Sequence, residues 1–183
     1  MKYITIGICL LFANCSCGQF LLGLHSEFDD SYRSWGIVAE YDSTTQVEGT
    51  LEITWTLDDD FSEWHYELGE ISGEIRQKYL NNPSLWELRQ GSEVVIIKQK
   101  WPGDFSEWIV SSDSASFTIK TRFGNIVDEW RHVSDRYGEL MIYTETPGDA
   151  RDWQIEDFME ESIPFSMRMG AVFISIFTSV PKV

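Results

Sequence analysis

Basic residues recur at a fixed interval in the middle of this 183-residue chain. If strands carry them to one outward face, they form a basic stripe that could bind an anionic head group or polyanion. The alternative is that Glu87, Glu107 and Glu129 on intervening strands face the same way and neutralise them across about 5 Å, and the pattern favours this pairing. The basic residues form three pairs, 22 positions apart: Arg76 and Lys78, Lys98 and Lys100, Lys120 and Arg122.

Aspartates gather in the segments between the apolar runs. Repeated hairpins would bring their carboxylates to one acidic rim, and clustered carboxylates suit calcium. No loop has the ligand spacing of an EF-hand, and aspartate is an ordinary turn former, so solvated turns are favoured over a metal site. The residues concerned are Asp58, Asp59, Asp60, Asp104, Asp128, Asp149 and Asp152.

Signatures of catalysis are weak in this sequence. His25, His65 and His132 fall in different units without metal-ligand spacing. The chain has neither a Gly-x-Ser-x-Gly elbow nor a phosphate-binding loop. We therefore predict no catalytic residue and no cofactor. Paired carboxylates for glycoside hydrolysis stay open, because acidic residues are spread through the chain and none stands apart.

The elements that must position these residues are repeats. The tetrapeptide FSEW occurs at 61–64 and again at 105–108, and Trp64, Trp86, Trp108 and Trp130 are each 22 positions apart, with Trp153 following 23 later. Each tryptophan follows an apolar run and a turn rich in Asp, Asn, Gly and Pro. Each unit therefore predicts a β-hairpin, and six hairpins over residues 20–157 give about twelve antiparallel strands.

Period-2 alternation supports strands and places the tryptophans in the core. Trp64, Tyr66 and Leu68 share one face of their strand, and the neighbours of the other tryptophans are equally apolar. We therefore expect a buried tryptophan ladder and not an outward one that stacks on sugars. Two first strands are expected to show the same apolar face, through Leu51, Ile53, Trp55 and Leu57, and through Phe117, Ile119, Thr121 and Phe123.

The C-terminal stretch 163–180 (IPFSMRMGAVFISIFTSV) is apolar on nearly every side and predicts a core helix. Such a helix must be buried all round, and at about 24 Å it is short for a membrane span. Twelve strands closed into a barrel leave an interior wide enough to take it, with Gly170 and Ala171 closest to a strand. The alternative is a pair of core strands, because Val172, Ile174 and Ile176 are β-branched.

The hairpin repeats, represented by 93–100 (EVVIIKQK) with Trp108, and the closing 170–174 (GAVFI) resemble the tubby C-terminal, phospholipid scramblase and LURP-one-related superfamily. The resemblance covers residues 20–180 and implies twelve strands around a C-terminal helix. That family is mostly intracellular, and its better-known members bind phosphoinositides or membranes. This chain is acidic and begins with an export-like leader, so membrane lipid binding is not carried over.

Charge and the N-terminus set further bounds. A formal net charge of -16 argues against nucleic acid and against anionic lipid. Residues 1–18 have the form of a signal peptide, with Lys2 before a short apolar run and small residues before Gln19. All three cysteines lie inside it. The alternatives are a lipid anchor at Cys15 or Cys17 and an uncleaved first strand.

These patterns predict one domain over residues 19–183, an all-β barrel with one C-terminal helix. We expect a secreted or periplasmic, non-enzymatic protein that binds an unknown ligand or protein through a rim or outer face. The alternatives are a secreted hydrolase with paired rim carboxylates and a purely structural surface protein. Membrane association is expected only if Cys15 or Cys17 carries a lipid anchor, which would make the chain a surface lipoprotein.

Overall fold

A computed structural model describes residues 20–28, 31–42, 45–55, 60–124 and 126–181. The leader, its three cysteines, Leu57, Asp58 and Asp59 lie outside these ranges. Within them, twelve antiparallel strands form a closed barrel in which each strand pairs with its sequence neighbours and the first strand pairs with the last. The predicted barrel with one C-terminal helix is confirmed.

The strands and the helix follow one another without further elements in the described ranges. They are β1 (Phe20–Ser26), β2 (Ser34–Asp42), β3 (Thr45–Ile53), β4 (Glu63–Leu68), β5 (Ile71–Gln77), β6 (Leu85–Gln90), β7 (Glu93–Gln99), β8 (Glu107–Ser111), β9 (Ser116–Phe123), β10 (Ile126–Ser134), β11 (Gly138–Thr144), β12 (Asp152–Met159) and α1 (Phe165–Ser179).

Because neighbouring strands run in opposite directions, the hairpin turns alternate between the two ends of the barrel. The turns that join odd-numbered strands to the next even-numbered strand lie at one end, which we call the tryptophan rim. The turns from even to odd strands lie at the other end, the far rim. Helix α1 enters at the far rim, where Ser166 Oγ donates to a Glu93 carboxylate oxygen at 2.6 Å. It ends at the tryptophan rim, where Ser179 Oγ donates to the Val127 carbonyl at 2.7 Å.

One hydrogen bond recurs in every hairpin of the tryptophan rim. Each repeat tryptophan is at most 3% exposed, and its indole N–H donates to the carbonyl three residues earlier at 2.9–3.2 Å. A large ring can be buried at low cost when its single polar hydrogen has an acceptor. The predicted burial of the ladder is confirmed. Its members are Trp35, Trp64, Trp86, Trp108, Trp130 and Trp153.

Helix α1 fills the barrel against this ladder. Its residues from Ser166 to Phe177 are all buried. The Phe173 ring meets Trp64 and Trp86 edge-on, at 5.7 and 5.1 Å between centroids. The predicted core helix is confirmed, and it begins at Phe165 because Pro164, with ψ at 148°, is still in extended backbone.

Two expected inward side chains turn out to be exposed. Trp55 is 55% exposed because β3 ends at Ile53, and Phe123 is 54% exposed because it is the last residue of β9. The predicted alternation of inward and outward side chains holds until each strand ends. Beyond it, the side chain lies past the barrel interior, where burial is no longer available.

The interior also holds an ion pair that the apolar pattern of the helix does not indicate. Arg168 on α1 and Asp157 on β12 bond to each other, with side chains 2% and 1% exposed. Arg168 also donates to the Ile163, Met159 and Glu160 carbonyls. Burial raises the pKa of Asp157, while the Arg168 charge and hydrogen bond lower it. The helix entrance is therefore fixed to the barrel wall by charge as well as by packing.

We predict that Gly170→Leu destabilises the fold. A Cβ added at Gly170 would lie 3.1 Å from Ile97 Cδ1 and 3.7 Å from Leu88 Cδ1. Leucine should overpack this contact and lower the free energy of unfolding by about 1–3 kcal/mol, although it is the better helix former. Denaturant titration measures the change. Adding Ile97→Ala should cost less in the Gly170→Leu background than alone, and simple additivity would contradict the packing argument.

We predict that Arg168→Met costs about 3–5 kcal/mol at pH 7, because it leaves a buried charge unpaired. A carboxyl group whose native pKa lies above its unfolded value of about 4 destabilises the fold above that pH, and the penalty is relieved as pH falls. The difference from wild type should therefore shrink toward pH 4 in thermal or denaturant melts. Arg168→Met combined with Asp157→Leu should recover most of the loss, and a double variant no more stable than the single one would show that the charge is not its cause.

Candidate functional site

The basic stripe lies on the outer face near the tryptophan rim, and the expected glutamates lie among its members. The Glu87 carboxylate forms salt bridges with Arg76 Nη2 at 3.1 Å, Arg89 Nε at 2.7 Å and Lys78 Nζ at 3.8 Å. These partners hold the pKa of Glu87 below its usual range, and the hydrogen bond from Arg89 contributes most to this shift. The 22-residue spacing did not indicate Arg89, because this residue lies outside that register.

The other two hairpins repeat this pairing with one cation each. Lys100 Nζ is 2.8 Å from Glu107, and Arg122 Nη1 is 2.6 Å from Glu129. For Lys98 and Lys120, no carboxylate of the described residues lies within 4.0 Å. The structure thus brings the six cations to one face, and four of them are neutralised in place.

An exposed aromatic residue follows the rim cation in three successive hairpins. The pairs Lys78-Tyr79, Lys100-Trp101 and Arg122-Phe123 are 22 residues apart. Lys100 Nζ lies 5.8 Å from the Trp101 ring centroid, and Arg122 Cζ lies 4.9 Å from that of Phe123. Trp101 Nε1 also donates to Glu107 at 3.1 Å. The same glutamate therefore orients both the cation and the ring of its hairpin.

The rim aspartates act mainly as turn-forming residues. Asp60, Asp104 and Asp149 each accept the backbone N–H two residues later, at 2.8–3.2 Å. Hydrogen bonds from Ser62 and Ser106 lower the pKa of Asp60 and of Asp104, and Arg151 lowers the pKa of Asp149 to about 2. Asp128 accepts from Gly148 N, and Asp152 opens β12. In the ranges described by the structure, no three His, Cys, Asp or Glu side chains converge as they would around a metal ion.

The three histidines lie apart, as expected. His132 is buried, its Nδ1 is 2.8 Å from the Thr118 carbonyl oxygen, and its Nε2 has no partner within the described part of the chain. Burial lowers the pKa of His132. His65 Nε2 lies 3.7 Å from Glu52 on the outer face, so these two rings belong to different surroundings.

Exposed apolar side chains are concentrated at the tryptophan rim. The sequence motifs did not indicate this concentration. Of the twelve large hydrophobic residues exposed in the described ranges, eight lie in or beside its turns, and Leu80 is 83% exposed. The sequence signal for these exposed residues is an aromatic or aliphatic residue within a segment whose other residues are typical of turns. The eight are Phe28, Trp55, Tyr79, Leu80, Trp101, Phe105, Phe123 and Ile126.

A cavity of about 480 Å³ opens at the same rim, between three hairpin turns and the last turn of α1. We call it the mouth cavity. Its lining combines aromatic rings with amide, hydroxyl and carboxylate groups. The residues that line it are Asp60, Phe61, Ser62, Gln77, Asn81, Pro83, Phe105, Phe177 and Thr178.

We predict that Glu87→Gln lowers the free energy of unfolding by about 1–2 kcal/mol at pH 7, because three cations lose their shared charge. The native pKa of Glu87 is depressed, so its contribution is present above the unfolded pKa and is lost as pH falls through the native pKa. Melts at pH 7 and pH 2.5 measure this. Glu74→Gln, on the exposed face of β5, is the matched control, and an equal effect of the two substitutions would contradict the prediction.

Comparison with known proteins adds no relative to this description. No protein-family model, no curated protein and no solved structure matches the chain. The resemblance to the tubby, scramblase and LURP-one-related superfamily therefore stays a prediction. In the described ranges, the helix is too short to cross a membrane.

Proposed function

We propose that this chain is a secreted or periplasmic, non-enzymatic binding domain whose tryptophan rim docks onto a basic protein partner. The observation that carries the proposal is the concentration of exposed large hydrophobic side chains at that rim. Contiguous apolar surface at one end of a soluble protein is typical of an interaction site. Trp, Tyr and Phe are also the residues enriched at the centres of protein interfaces.

The chemistry of the rim suits a protein better than a sugar. Leu80 and Ile126 present aliphatic side chains, which fit an apolar partner surface and offer no flat ring for a pyranose. An apolar groove of about 480 Å³ beside Phe123, Ile126 and Met141 continues this surface down the outer wall. The rim and groove together give one extended area for a partner to cover.

Several rim aromatics are held in place before any partner arrives. Trp55 Nε1 donates to Glu63 at 3.2 Å, and Trp101 Nε1 donates to Glu107 at 3.1 Å. The Phe105 ring stands edge-on to buried Trp108, with 5.9 Å between centroids. Side chains that are already ordered lose less conformational entropy on binding, which favours a preformed docking surface.

Charge selects the class of partner. A net charge of -16 steers positively charged proteins toward the chain and repels acidic ones. The same charge disfavours nucleic acid, whose phosphates need cations to displace their counterions. A partner with a basic surface around an apolar centre therefore complements the apolar rim and the acidic charge of the chain as a whole.

The arrangement of the carboxylates supports binding over hydrolysis. A catalytic acid in a cleft would have a raised pKa. Among the carboxyl groups that the structure describes, the raised pKa belongs to Asp157, which lies inside the barrel and is bonded to Arg168. The rim carboxylates Asp60, Asp104 and Asp149 have lowered pKa values, which suit turn formation.

We expect Tyr79→Ser, Leu80→Ser, Trp101→Ser and Phe123→Ser together to abolish partner binding without unfolding the barrel. The matched control carries Leu22→Ser, Val94→Ser, Val133→Ser and Phe158→Ser, four exposed residues nearer the far rim. Extracellular proteins of the source organism are captured on the two variants and on wild type, and a basic protein lost only with the rim variant is purified.

Calorimetry on that purified protein should show Kd rising by at least about 30-fold for the rim variant, which corresponds to about 2 kcal/mol for the loss of one hot spot. The control should bind like wild type. Finding no basic protein whose capture depends on the rim, or an equal loss with the control, would overturn the proposal.

A further inference from the structure

The mouth cavity contains polar atoms that the protein itself leaves without partners. Gln77 Oε1 and Thr178 Oγ1 are buried and form no hydrogen bond with any described residue, and both residues line the cavity. A buried acceptor without a donor destabilises the folded state. These two oxygens are therefore placed to accept hydrogen bonds from something that enters the cavity.

Two negative groups lie at the cavity. Asp60 lines it, and hydrogen bonds from Ser62 lower the pKa of Asp60 and keep it ionised. Helix α1 ends beside the cavity with no basic residue in its last turn, so the negative end of the helix dipole adds to the charge of Asp60. None of the described residues that line the cavity is a lysine or an arginine.

The aromatic rings that line the cavity also favour a cation. The faces of phenylalanine rings carry partial negative charge and attract cations. Phe61, Phe105 and Phe177 line the cavity. The Arg33 guanidinium carbon lies 6.0 Å from the Phe61 ring centroid, which shows that a ring of this lining already contacts a cation.

We propose that the mouth cavity binds the ammonium group of a primary amine. The oxygens of Gln77, Thr178 and Asp60 accept its N–H donors, and the phenylalanine rings contact its alkyl stem. An anion would be repelled by the Asp60 carboxylate and by the negative end of the α1 dipole, and a neutral alcohol would lose the charge-assisted bonds. The amine is either a free small molecule or a lysine side chain of the basic partner, and in the second case the inference rests on the proposed function.

Binding of n-butylammonium to the full chain at pH 7, followed by calorimetry or chemical-shift titration, tests the site. We expect saturable binding with a Kd at least tenfold lower than that of n-butanol, and weaker binding of tetramethylammonium, which donates no hydrogen bond. Asp60→Asn and Thr178→Val should each raise the Kd at least fivefold.

The matched control is Asp104→Asn, which alters the equivalent turn residue between β7 and β8 but does not line the cavity. This variant should bind n-butylammonium like wild type. Absence of saturable binding, equal affinity for n-butanol, or equal effects of Asp60→Asn and Asp104→Asn would each overturn the proposal.

Two short peptides distinguish the sources of the amine. Acetyl-Gly-Lys-Gly-amide binding at least tenfold tighter than n-butylammonium, with loss on acetylation of the lysine, assigns the cavity to a lysine side chain, and equal or weaker binding assigns it to a free amine. The four substitutions of the rim variant do not change any residue that lines the mouth cavity. This variant should therefore keep its affinity for n-butylammonium. If the rim bound no protein while the cavity still bound amines, the proposed function would be refuted and the amine site would not.

Discussion

The interior of a twelve-stranded barrel is wider than the side chains of its own wall can fill, and every other part of this fold depends on how that space is occupied. Helix α1 occupies it, with the Phe173 ring against Trp64 and Trp86. The helix in turn needs the barrel, because its buried residues cover its whole circumference and would otherwise face water. Neither element can bury its apolar surface without the other, so the barrel and its helix form one cooperative unit.

The fold could be predicted from the sequence because its signals are local and repeated. The 22-residue spacing of Trp64, Trp86 and Trp108 defines identical hairpins, and alternation identifies the inward face of each strand. The site was less accessible to this reasoning. Trp55 and Phe123 have the parity of core residues, and only the point where each strand ends makes them part of the rim. The ion pair between Arg168 and Asp157 depends on residues 11 positions apart that belong to different elements, and no local pattern records it.

The tryptophan rim combines two features that local structure alone does not require. Its turns are closed by aspartates and asparagine that accept backbone N–H groups, as in Asp60 and Asp104. The hydrogen bonds that close these turns do not involve the side chains of Leu80 or Trp101, so polar residues at those two positions would leave them in place. The proposed binding of a partner would account for the exposed hydrophobic residues at this rim.

The pairing of β1 with β12 and the position of α1 after the strands in the chain set the order in which the barrel can form. The barrel closes through contacts between β1 and β12, and the segment that fills its centre follows β12. Hairpins can form early because their contacts are local, whereas closure is a non-local event and slow. Until α1 has been synthesised, the strands that precede it expose their inward faces to water, so the barrel is prone to aggregation throughout that interval.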